Sequence, residues 1–296
     1  MRLAIRHTTR FERDDNAPYV MQRLRLRPQS GPGQTVRAWQ VTIDGIEPEL
    51  GYVDGLGNGI DLVRHASTRN ELSIIAAGVV ETQDRAGVVG VSDDYAPPWV
   101  FERISKDWPE SAPAGLMEAT MDTLPAESGR LDVLHALMSS IHQWPPAGGA
   151  DKEAGQEAPD APALFIAVAR HLEIPARYVS GYLMGDGGAP RAAVLMSMSQ
   201  SAGTAEAGGQ APGAGRAQSQ VMTSAAGAPQ AMHAWAEAYV EGLGWVGFDP
   251  RMNRCPDERY VRLAVGFGVD DTRAVTGLGA RLVATEVNVI PAPELV

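Results

Sequence analysis

The chain has 296 residues, room for two domains of ordinary size, and its 44% hydrophobic and 21% charged residues exclude wholesale disorder and fibrous repeats. Twenty-five Lys and Arg against 36 Asp and Glu leave a formal charge of -11, which repels a phosphate backbone and argues against nucleic-acid binding. A single cysteine forms neither an internal disulfide nor a cysteine-rich zinc site, so a reducing, cytoplasmic location is expected.

From Met1 to Arg10 charge recurs every few residues where a signal peptide needs an unbroken apolar run, and no segment reaches the roughly 18 apolar residues of a membrane span. Neither export by such a signal nor membrane insertion is expected. Leu3, Ile5, His7, Thr9 and Phe11 alternate with Arg2, Arg6 and Arg10, the period of a half-buried strand with a solvated arginine face. The same beat returns at Leu24 and Leu26, then at Trp39, Val41 and Ile43. Asp54-Gly55 and Gly57-Asn58-Gly59 supply turn residues ahead of Ile60 to Val63 and the apolar run Leu72 to Val80. This spacing predicts a β-sandwich over residues 1–95.

Pro97, Pro98, Pro109 and Pro113 interrupt regular structure, so residues 96–127 read as a linker. Ser128 is placed to cap a helix carrying Leu131, Leu134, Leu137, Met138 and Ile141, closed by Pro145-Pro146. A second, buried helix is expected from Asp160 or Ala161, with Leu164, Phe165, Val168, Ala169 and Leu172 on one side and its end before Pro175. Arg177 to Leu183, Ala234 to Val240 and Trp245 to Phe248 alternate as strands, the last two joined through Glu241-Gly242-Leu243-Gly244. Residues 128–296 are therefore expected to form an α+β core of helices packed on an antiparallel sheet. Within it, about 185–230 is rich in Ala, Gly, Ser, Gln and Met without a steady period, which predicts a flexible insertion.

His233 opens one strand of the expected hairpin and Asp249 follows its partner, so the fold-back carries a carboxylate toward an imidazole. Counting across a four-residue turn leaves them about three residues out of register, roughly 10 Å at about 3.3 Å per residue. A bulge or sheared pairing is expected to close that gap. Such a pair orients an imidazole to draw a proton from a thiol or hydroxyl. The favoured place for a thiolate is the first turn of a helix, here the one opening near Ala161, where the macrodipole and free N–H groups lower its pKa. No ligand spacing links His7, His65, His135, His142 or His171 to the pair, and no phosphate-binding glycine loop precedes a helix, so neither a metal nor any other cofactor is expected.

Leu164 to Tyr182, His233-Ala-Trp-Ala-Glu-Ala-Tyr239 and Gly242-Leu-Gly-Trp-Val-Gly-Phe-Asp-Pro250, extended by Arg254-Cys-Pro-Asp-Glu-Arg-Tyr260, resemble the motifs of the bacterial transglutaminase-like superfamily. Gln22 to Pro28 and Asp54 to Asn58 resemble the β domain that precedes this core in its two-domain branch. The resemblance implies a papain-like core with a Cys–His–Asp triad that performs acyl transfer from amides. It puts His233 at the triad histidine, Asp249 at the acid and Ala158 where the thiol belongs, with Asp160 persisting from the neighbouring signature. Losing a triad nucleophile removes most of its rate enhancement. The expected protein is therefore a catalytically disabled one whose cleft binds a peptide or amide-bearing partner. Two alternatives stand: an active cysteine-dependent hydrolase or acyltransferase that recruits Cys255 or another displaced residue such as Ser180, Ser197 or Ser199, and a structural subunit that serves assembly.

Overall fold

The computed structural model describes residues 1–14, 17–65, 70–91, 96–103, 113–125, 127–144, 160–185 and 232–292. Ala158, Ser197, Ser199 and nearly all of the expected insertion lie outside the described residues. In chain order come β1 (Arg2–Arg13), β2 (Val20–Arg27), β3 (Gln34–Ile43), β4 (Leu50–Val53), β5 (Gly59–His65), β6 (Glu71–Thr82) and β7 (Val88–Gly90). A 3-10 turn at Pro98–Glu102 leads to α1 (Pro113–Met121), α2 (Arg130–Gln143) and α3 (Ala161–His171). Then follow β8 (Ala176–Leu183), β9 (His233–Val240), β10 (Gly244–Phe248), β11 (Tyr260–Gly266), α4 (Val269–Thr272), β12 (Val275–Leu278) and β13 (Ala280–Pro291).

The alternation in β1 does what its sequence dictates: Leu3, Ile5, His7, Thr9 and Phe11 are buried while Arg6 and Arg10 face out. Two four-stranded sheets, in the orders β13-β1-β6-β3 and β12-β2-β5-β4, enclose one core. Leu3, Ile5 and Ile74 enter it from the first sheet and Val20, Leu24 and Leu26 from the second. This is the expected β-sandwich, but it is built from both ends of the chain. β12 and β13 pair antiparallel with β2 and β1, and β7 joins the other sheet by pairing with β10. The sheets thus depart from the contiguous division at residues 95 and 127. The returning strands cover β1 and β2, which would otherwise be outer strands with unpaired backbone groups.

The remaining sheet, in the order β11-β8-β9-β10-β7, is antiparallel throughout. α3 lies on it with Leu164, Phe165, Ile166, Val168 and Ala169 buried, and α2 adds Leu134, Leu137, Met138 and Ile141 to the same cluster. That matches the α+β core expected from the helical spacing. Two local expectations change. The N-cap of α2 is Gly129, whose N–H is taken by Asp132 at 3.1 Å, whereas Ser128 turns back to donate to the Pro125 carbonyl at 2.8 Å. The 96–127 segment, where described, is no bare linker either. Phe101 is buried edge-on against Trp245, with ring centroids 5.4 Å apart, and Leu116 joins the helical core. Among the described residues no helix is long and apolar enough to cross a membrane.

Candidate active site

β9 and β10 form a hairpin whose closing pair is Val240 with Gly244, so the turn is three residues, Glu241 to Leu243, and the pairing runs to Ala236 with Phe248 without a shift. Extending that register puts Asp249 opposite Trp235, two residues from His233 and on the same face of the sheet. A diagonal pair of this kind is within reach of long side chains. The expected bulge is therefore absent: His233 Nε2 meets Asp249 Oδ2 at 2.6 Å directly.

Asp249 is fully buried, and a buried carboxylate has to be compensated by donors. Oδ2 accepts from His233 and, at 2.8 Å, from the Tyr260 hydroxyl; Oδ1 accepts from the backbone N–H groups of Arg251 and Met252 at 3.0 and 3.2 Å. The last two donors come from a tight turn that brings Asp249 back to pair with Arg254, with Asn253 at a φ of 50°, a conformation asparagine tolerates better than most residues. α2 braces this turn: His142 Nδ1 lies 3.2 Å from the Pro250 carbonyl, and the Ser139 hydroxyl lies 3.1 Å from Asn253 Oδ1. Arg251 reaches from it to Asp160 at the start of α3, at 2.5 Å. The turn that presents the acid is thus tied to the helix end beside which the resemblance puts the nucleophile.

Two rings box the imidazole. Trp235 lies beside His233 at 6.4 Å with planes 25° apart, and Tyr260 stands edge-on to both. Burial, with the Asp249 charge next, pushes the Tyr260 hydroxyl well above the usual phenol range, so it stays a proton donor to that carboxylate. Tyr178, buried behind the α3 end, is raised by burial and then by the Asp160 charge. Because Asp249 accepts from Nε2, that nitrogen carries the proton, which leaves Nδ1, without a hydrogen bond to the described residues, as the acceptor nitrogen of the ring.

The other candidates are placed elsewhere. Cys255 packs against Gly87, so closely that a Cβ at position 87 would lie 2.7 Å from the cysteine Cβ, and burial pushes its thiol up rather than down. Ser180 is buried and donates to the Thr272 carbonyl at 2.9 Å. Trp245 is buried in the core with the partly buried Tyr239 edge-on to it, away from the imidazole's box. Among the described residues no group of three or more His, Cys, Asp and Glu is gathered to hold a metal ion. Tyr260 is the residue that sequence reasoning missed. The motif containing it was visible, but nothing in its spacing tells which way a hydroxyl points.

Residues 157–250 match the model of the transglutaminase-like superfamily, and residues 3–81 match the bacterial transglutaminase-like N-terminal region. The chain therefore carries a transglutaminase-like core fold with an N-terminal β domain, and it belongs to the transglutaminase-like superfamily. Among solved structures it is similar to a protein from Cytophaga hutchinsonii described as a candidate cysteine protease, with a TM-score of 0.62 and 16% identity over 100% of this chain and 92% of that one. At that identity the likeness concerns the fold. The periplasmic domain of TgpA from Pseudomonas aeruginosa, bound to ethylmercury, matches with a TM-score of 0.35 and 14% identity over 86% of this chain and 91% of that one. No curated protein matches the chain in sequence.

Proposed function

We propose that this protein is a catalytically disabled transglutaminase-like protein whose cleft binds a peptide or amide-bearing partner. The observation that carries this reading is the setting of the chain's one cysteine. Cys255 is packed against Gly87 with its thiol pushed up by burial, while His233 and Asp249 stand assembled as a proton-relay pair. Ala158 occupies the position that the resemblance gives to the thiol, and a methyl group cannot attack a carbonyl. The ring box around His233 supports binding, because aromatic walls beside a polar edge suit a peptide backbone or side-chain amide.

The test is intact-mass spectrometry after incubation with an activated peptide ester and with glutamine-bearing peptides, alongside an ammonia-release assay. No acyl adduct and no turnover are expected, with binding of the unmodified peptide retained. An adduct that disappears in His233→Ala would overturn the reading. The same proposal puts the protein in the cytoplasm, since a lone cysteine asks for no oxidising compartment; cell fractionation of the native protein checks this.

A further inference from the structure

β11 is an outer strand: it pairs with β8 on one side, and its other edge faces the β-sandwich. An exposed edge is a row of unsatisfied backbone groups, which a protein has to pair or cover. Here side-chain amides cover it. Gln34, at the start of β3, donates Nε2–H to the Arg262 carbonyl at 2.9 Å and accepts the Arg262 N–H on Oε1 at 2.8 Å. Asn58, in the turn before β5, does the same to Val265, donating to its carbonyl at 2.8 Å and accepting its N–H at 2.7 Å. A primary amide offers the donor and acceptor that a neighbouring strand would supply. In a regular strand the outward-facing residues are two or four apart. The register shift between Arg262 and Ala264 inserts one residue, which lets Arg262 and Val265, three apart, both face the sandwich.

A third grip lies on the other side of Tyr260, where the Thr82 hydroxyl at the end of β6 donates to the Glu258 carbonyl and the Thr82 carbonyl accepts from the Met1 amino group. The sandwich therefore holds the backbone two residues before and two residues after Tyr260. Between those grips the tyrosine, 5% exposed, sends its hydroxyl to Asp249 Oδ2, the same oxygen that holds His233.

We propose that Tyr260 is a positioning residue through which the N-terminal β-sandwich fixes the His233–Asp249 pair. Tyr260 touches the acid and walls the imidazole, and its place is set by Thr82 and Gln34 rather than by the core sheet alone. The inference concerns the geometry of the pair and reads no turnover, so its failure would leave the proposed loss of catalysis untouched.

The test uses the full chain labelled with 15N-histidine and follows the His233 Nε2–H resonance, assigned among the six histidines by its loss in His233→Gln. Tyr260→Phe keeps the ring and removes the hydroxyl. The Asp249 oxygen then no longer shares itself between two donors, and the His233 signal is expected to move downfield. Gln34→Ala and Thr82→Val, read singly and together, are expected to move the same signal and speed its exchange with water while circular dichroism stays unchanged. Asn58→Ala, which removes the grip five residues from Tyr260, serves as the control and is expected to lower stability with the signal in place. An unmoved signal in Tyr260→Phe would overturn the proposal. So would Gln34 and Thr82 variants whose signal moves no more than that of Asn58→Ala.

Discussion

Gly181 stands directly opposite His233 across the β8–β9 pairing, and its missing side chain makes room for the Trp235 indole that flanks the imidazole. A Cβ at 181 would lie 2.1 Å from the Val261 carbonyl oxygen and 2.7 Å from Trp235 Cη2. One obstacle is backbone and the other a buried ring, so neither moves aside cheaply. Gly181→Ala is expected to cost about 3 kcal/mol of stability, the upper range for overpacking a core. Urea denaturation measures it, and a loss below about 1 kcal/mol would show that the sheet opens more easily than this packing implies.

Glu237 lies within a cage of positive charge. Arg177 Nε bonds Oε2 at 2.7 Å with both side chains 1% exposed, and Arg262 approaches Oε1 at 3.1 Å from a site 31% exposed. The Arg177 guanidinium also lies over the Trp245 ring at 3.9 Å, so it is held by a face as well as by a carboxylate. Replacing the carboxylate by an amide breaks this buried ion pair by removing its negative charge. Glu237→Gln is expected to destabilise the protein by about 3–5 kcal/mol. Thermal and chemical unfolding together check it, and near-neutral behaviour would show that the Arg177–Glu237 pair does not carry this stability.

His7 joins the sandwich to the core, sharing hydrogen bonds with Tyr182 of β8 and with Thr9, each at 3.1 Å. Burial lowers its pKa from 6.5 to about 4. The unfolded chain then binds a proton that the folded one refuses, so the His7 contribution is complete above pH 6.5 and declines as pH falls toward about 4. The full loss is about 3 kcal/mol by linkage. Urea midpoints at pH 7 and pH 4.5 should therefore lie further apart in the parent protein than in His7→Gln. Equal separations would show that His7 does not carry this acid sensitivity.

The strand faces, the buried helix and the pairing of His233 with Asp249 were readable from local patterns. His7 fell in the buried stripe of β1 by counting alone, and Leu164, Phe165 and Val168 marked the face of α3. What counting could not supply was geometry between elements. Reading four turn residues instead of three put His233 and Asp249 three places out of register, and the structure has two, which side chains span without a bulge. Val287 and Val289 carry a strand's alternation, but nothing in them says that their partner is β1, nearly the whole chain away. The prolines near residue 97 suggested a linker, and Phe101 is nevertheless buried, because a rigid turn can carry an anchor as well as a break. The hydroxyl of Tyr260 and the amides of Gln34 and Asn58 work across the boundary between sandwich and core, where sequence spacing has no meaning.

Cys255 separates a disabled protein from one that has moved its nucleophile. Its thiol is raised by burial, so at neutral pH a smaller fraction is thiolate than in a free cysteine. Alkylation by iodoacetamide at pH 7.5 is expected to run at least about tenfold slower than for an unfolded control, and to reach the control rate in urea. A thiol served by the imidazole would behave differently, because removing the base would slow its labelling. His233→Ala should leave the Cys255 rate unchanged, since Cys255 sits against Gly87 and the His233 bond goes to Asp249. Fast alkylation in the parent that drops in His233→Ala would reinstate Cys255 as a working nucleophile, and the disabled reading would then fail.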